Sequence, residues 1–168
     1  MASSNSPQLS DDDDDFGDEP REMTIHDDAY FGNEPREMTL EEEIEYYIAL
    51  KKTEGFDMPS FPDSYACGRI ETITGSRLHS EELQECADKD KAVDYFNQQN
   101  GTSFEFVKMV KATNKAVVGI MYYLTFEVKQ MGSPPNSPTK TLQARVLRGL
   151  PIGHFDVELC RPEPSTSS

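Results

Sequence analysis

Chemistry at a protein site needs a nucleophile, a general base, a metal ligand set, or an exposed surface that another molecule can cover. This 168-residue chain is poor in the first three. His26, His79 and His154 are scattered through the sequence, and no Cys or His pair has the spacing of a zinc site. Cys86 or Cys160 with His154 could make a thiol nucleophile and its base, yet both cysteines sit where a small apolar residue would serve, and a structural role is expected. The run Asp11 to Asp15 invites a calcium loop, but counting from Asp11 puts Phe16 where the sharp turn needs glycine. Counting from Asp12 puts Gly17 there and loses the closing carboxylate at Met23. A solvated acidic tail is the better reading. No glycine-rich phosphate loop lies between a strand and a helix. The chain is therefore expected not to be an enzyme and to need no metal or cofactor.

What remains is a surface. From Phe104 to Val128, β-branched and aromatic residues dominate two segments that read as an antiparallel hairpin. Val118, Ile120, Tyr122, Leu124, Phe126 and Val128 alternate with Gly119, Met121, Tyr123, Thr125 and Glu127, which predicts a strand with one buried face. In the first segment Phe104, Phe106, Val110 and Ala112 are expected to share a face, and Thr113, Asn114 and Lys115 supply the polar break. Lys115, Ala116, Val117, Val118 and Gly119 then fall at the tip. A tip runs through water and is usually polar, whereas this one is apolar.

Phe106 to Val128 resembles, without a gap, the central hairpin of the plant cystatins, inhibitors of papain-like cysteine proteases whose tip carries Gln-x-Val-x-Gly. Val117 and Gly119 match that motif, and Lys115 stands in place of its glutamine. Met121 to Thr125 also resembles the strand that comes after it. The family's N-terminal Gly-Gly pair would fall at Gly68, with Arg69 replacing the second glycine; Gly75 is the alternative position. Its second loop carries Pro-Trp, where this tryptophan-free chain has Pro151-Ile152. In the family's helix, Ala92, Val93 and Asn97 match and Asp88 to Lys91 do not. Gly55 to Asp57, Glu85 to Ala87 and the hairpin together look closest to the crucifer cystatin-related proteins.

The elements that must position this tip are set by the rest of the chain. Residues 1–64 carry 19 acidic and 4 basic side chains, a net −15 that equals the whole chain's charge, so residues 65–168 balance at 12 of each. Such an arm repels nucleic acid and anionic membrane, and neither is an expected partner. Met1 to Pro20 lacks a signal peptide's apolar core and a transit sequence's arginines, and three cysteines suit a reducing compartment; the expected location is cytoplasmic or nuclear. Phe16 to Thr24 returns as Phe31 to Thr39, a local duplication that could also be a docking motif anchored on Phe16 and Phe31. Thr39 with Glu42 forms a capping box, after which Leu40, Ile44, Tyr47 and Ile48 are expected to form one helix face, ended at Gly55. A second helix runs from Glu81, capped by Ser80, to about Gln99, stopped by Asn100-Gly101. Leu142, Ala144 and Val146 mark a third strand, and Phe155, Val157 and Leu159 a fourth, joined by Gly149 to Gly153.

These elements predict an α+β, cystatin-like fold: one long helix wrapped by a four- to five-stranded antiparallel sheet, preceded by an acidic, largely disordered arm with one short helix. The domain reading is an arm at 1–38, a short helix and linker at 39–64, the cystatin-like domain at 65–161 and a polar tail at 162–168. It places the hairpin tip and the 149–153 loop at one end of the sheet. The resemblance implies a monomeric, reversible inhibitor that plugs a protease cleft with Gly68, Lys115, Ala116, Val117, Val118, Gly119, Leu150, Pro151 and Ile152. The alternative is a non-inhibitory scaffold that keeps the fold and binds another protein.

Overall fold

The computed structural model describes residues 36–64, 68–88, 91–151 and 153–165. The acidic run, the first repeat copy, Phe31, Cys67 and Ile152 lie outside them. Within the unit Asn33–Ser168, the described chain is a three-layer body. Its middle layer is a five-stranded sheet in sequential order: β1 (Ile70–Ile73), β2 (Phe104–Val117), β3 (Gly119–Gln130), β4 (Lys140–Gly149) and β5 (His154–Pro162). All neighbours are antiparallel.

One face of the sheet holds the main core. The single long helix expected over Glu81 to Gln99 is instead two helices, α2 (Glu81–Ala87) and α3 (Ala92–Asn100). The polar run Asp88 to Lys91 offers no apolar side chain to the sheet, and Asp88 turns extended at the end of α2. Leu83, Cys86, Ala87, Ala92, Val93 and Phe96 nevertheless pack on Met109, Ala112, Tyr122, Leu124, Phe126, Val128, Leu142, Ala144 and Val146. The Ser80 hydroxyl accepts from the Leu83 N–H, and Gly101 closes α3 in the left-handed region, as the sequence predicts.

Bulges decide which residues reach that core. β2 shifts register between Phe106 and Lys108 and again between Met109 and Lys111, leaving Val107 and Val110 as the extra residues. Each inserted residue flips the face of the side chains beyond it. Val110, expected in the core, is therefore exposed, and Met109 takes its place. A third bulge in β5 opposite Arg145–Val146 turns Cys160 toward the helices and Leu159, expected beside Phe155 and Val157, to the opposite face. Thr113 to Lys115 are no break: they pair with β1, and the turn is confined to Val118 between the paired Val117 and Gly119.

The second face was expected in water and is covered. Helix α1 (Leu40–Thr53) and the segments on either side of it lay Met38, Tyr46, Phe56 and Met58 on Ile70 and Tyr123, with Leu50, Met121 and Leu159 alongside. Phe56 meets Tyr123 edge-on at 5.5 Å. Gly55 has φ +93°, and a Cβ there would lie 2.7 Å from the Ile70 side chain, so only glycine lets the chain come this close. Thr113 Oγ1 donates to the Gly55 carbonyl (2.5 Å), Thr72 Oγ1 to that of Met58 (2.9 Å), and Lys111 pairs with Asp57 (2.9 Å). The capping box at Thr39–Glu42 is present, and the Arg36 guanidinium grips Glu42 through both oxygens, holding its carboxyl down at about 2.

The four residues read from the sequence as one helix face do share one, and it is the outer face. Tyr46, Ala49 and Leu50 face the protein, while Leu40, Ile44, Tyr47 and Ile48 point outward. Two apolar stripes run along this helix, and the short sheet-covering segment Phe56–Met58 selects the one carrying Tyr46.

Candidate functional site

The tip, the 149–153 loop and Gly68 lie at one end of the sheet, and the ladder registers require it. Ala116 pairs with Ile120 and Val117 with Gly119, so Val118 alone makes the bend. Ile120 in turn pairs with Arg148, and Gly149 with His154, which sets the next turn beside the first. β1 begins at Ile70 opposite Lys115, so Gly68, two residues earlier, stands where β2 runs into the tip.

Gly119 carries the close contact between the two turns. At φ +106°, a Cβ would collide with the Arg148 carbonyl oxygen and Gly149 Cα, both backbone atoms with no freedom to yield. Any side chain here would push the tip off the second loop. Gly68 also has φ +79° but faces open space.

The tip side chains point into solvent. Val118 is 82 % exposed, Val117 45 % and Leu150 65 %, and Ala116 and Pro151 are exposed too. Lys115 is half-buried and sits within the β1–β2–β3 pairing, three residues before the bend at Val118. Gly75, the alternative arm glycine, opens a short 3₁₀ turn (Gly75–His79) after β1. That turn comes after Ile73, which pairs with Ala112 well down β2, so Gly75 is far from the tip in register.

Two supports hold this end in place, and neither was found from sequence. The Tyr46 hydroxyl on α1 accepts the Ile70 N–H (2.9 Å), and the Arg69 guanidinium lies 5.9 Å over the Tyr46 ring. The bulky residue beside Gly68 is thus folded back onto α1. Below the tip, Glu82 of α2 accepts from both the Tyr122 hydroxyl and the Arg148 guanidinium. The Tyr122 hydrogen bond, aided by Arg148, holds the Glu82 carboxyl below its ordinary range, and burial beside Glu82 pushes the Tyr122 phenol up. This pair of bonds fixes the stem of β4 from which the second loop springs. The Tyr46 stripe was visible as Tyr46–Leu50–Thr53 at helical spacing; nothing local marks Glu82 as the partner of Arg148.

The two described thiols, Cys86 and Cys160, are free and at least partly buried. Burial pushes Cys86 and Cys160 each up to about 12, where thiolate is scarce at neutral pH. Among the described residues no His, Cys, Asp or Glu cluster could hold a metal ion, and no helix is long and apolar enough to cross a membrane.

A family model for the cystatin domain matches residues 73–145, the stretch from the end of β1 through both helices, the hairpin and half of β4. Over this stretch the chain is similar to the cystatin family. The matched stretch holds the tip and its stem, while α1 and most of the second core lie before it. A multicystatin of Solanum tuberosum is 41 % identical over 51 residues, which is 30 % of this chain and 7 % of that protein, so the chain spans a small fraction of that relative. The crystal structure of dimeric human cystatin F superposes with a TM-score of 0.43 at 19 % identity, over 58 % of this chain and 87 % of that one.

Proposed function

We propose that the protein is a reversible inhibitor of papain-like cysteine proteases that works as a wedge. The observation that carries this reading is an apolar ribbon end, Val117 and Val118, held out in water beside Leu150 and Pro151. The match of residues 73–145 to the cystatin domain supports it. Gly68, Lys115, Ala116, Val117, Val118 and Gly119 with Leu150, Pro151 and Ile152 would enter the cleft together and block substrate, with no bond to the catalytic thiol.

The energetics favour such a plug. Burying apolar surface returns about 25 cal/mol per Å², and a tip already fixed by Gly119 and the Glu82 bridge loses little entropy on docking. Two departures from the family pattern weigh differently. Arg69 lies over Tyr46 and leaves Gly68 open to a close approach. The missing aromatic on the second loop has no such remedy: an anchor of that kind is worth about 2 kcal/mol, or roughly thirty-fold in affinity.

The full chain titrated against papain is expected to inhibit competitively at micromolar concentrations or below, and Val117→Asp is expected to abolish the effect. No inhibition at tens of micromolar hands the fold to the second reading, an interaction scaffold. One observation favours that reading: the exposed apolar face of α1 lies outside the wedge.

A further inference from the structure

The outward face of α1 has no task in the wedge. Leu40, Ile44, Tyr47 and Ile48 are between 51 and 68 % exposed and, with Glu43 and Lys51, line one shallow surface along the helix. Four large apolar side chains at this spacing make a continuous ridge. The ridge is also rigid, because the opposite face is buried through Tyr46 and Leu50 and the helix is closed by its capping box and by Glu54 in the left-handed region. Its charge is divided by position. Glu41, Glu42 and Glu43 occupy the first turn, and Lys51 and Lys52 the last.

We propose that α1 is a self-association surface, on which a second copy of this chain packs its own α1 antiparallel about a two-fold axis near Tyr47. A parallel pair would set Glu41 and Glu43 against their own equivalents. The antiparallel pair sets them against Lys51 and Lys52 at both ends, and like charges facing each other are what such interfaces exclude. Ile44 of one copy then meets Tyr47 and Ile48 of the other, and the Lys51 stem covers Leu40. The dimer replaces the monomer expected from the sequence. A 14-residue helix is about 21 Å long, and a ridge of that length covers less than the roughly 1,200 Å² of a stable complex. The association therefore belongs in the range of tens to hundreds of micromolar.

Sedimentation of the full chain at physiological salt, from micromolar to several hundred micromolar, tests this. The weight-average mass is expected to rise toward twice that of the monomer, and Ile44→Asp with Ile48→Asp to keep it at the monomer value. Both positions are exposed, so far-ultraviolet circular dichroism should be unchanged in that variant. Glu41→Lys with Glu43→Lys, and separately Lys51→Glu with Lys52→Glu, are each expected to weaken association at least tenfold. An equimolar mixture of the two is expected to restore it, because each then faces its complement. A wild-type chain that stays monomeric throughout overturns the proposal, as does charge reversal with no effect or a mixture that does not recover.

Discussion

At the level of single residues, the tip stays exposed because side chains that would ordinarily be buried are denied a place to go. Val118 is the whole of a one-residue bend, so neither strand can fold it back. Glycine at 119 is a requirement of the backbone: Gly119→Ala would set a Cβ against the Arg148 carbonyl at a positive φ. That variant is expected to lose inhibition at least tenfold while its thermal midpoint falls, read by an inhibition titration beside a melting curve. Tyr46→Phe removes the acceptor of the buried Ile70 N–H and should cost about 1–3 kcal/mol in urea denaturation. The valines and Gly119 were legible from sequence because motif spacing reports on backbone geometry. Tyr46 was missed because two apolar stripes share one helix and nothing in the helix itself says which is covered.

At the level of elements, alternation was readable wherever a strand is regular and misleading wherever it bulges. Tyr122, Leu124, Phe126 and Val128 on β3 lie on the core face as their period requires. Val110 and Leu159 do not, since an inserted residue leaves no mark in composition yet reverses every side chain beyond it. The helix break at Asp88 to Lys91 was visible as an interruption of the stripe, although its consequence, two helices, was not. The link between α2 and β4 makes its own prediction. The Glu82 carboxyl is depressed in the folded protein, so its contribution is present above the unfolded value near 4.3 and is lost as pH falls through the folded value. Glu82→Gln should lower stability at neutral pH by at most about 1 kcal/mol for a bridge this exposed, and should flatten the loss of stability below about pH 4.3. Thermal melts of both proteins between pH 3 and 7 check the sign.

For the whole molecule, the decisive fact is that both faces of the sheet are covered. Sequence patterning revealed the helix face because regular alternation with a long apolar run predicts it. The other face depends on a short, irregular segment, Phe56 to Phe61, whose partners Ile70, Tyr123 and Leu159 are far away in the chain. A chain beginning at Tyr65 would leave those partners in water. Loss of a core phenylalanine alone typically costs about 3–5 kcal/mol, so this truncation is expected to lower the denaturation midpoint strongly and to expose dye-binding apolar surface. Phe56→Ala in the full chain should reproduce a large part of that loss.

The central claim is that an apolar ribbon end fills a protease cleft with no bond to the thiol, and papain whose catalytic cysteine has been S-methylated tests it most directly. Calorimetric titration of the full chain into this blocked enzyme is expected to show one-to-one binding that Val117→Asp eliminates. Absence of binding at tens of micromolar, or binding that Val117→Asp leaves intact, would contradict it.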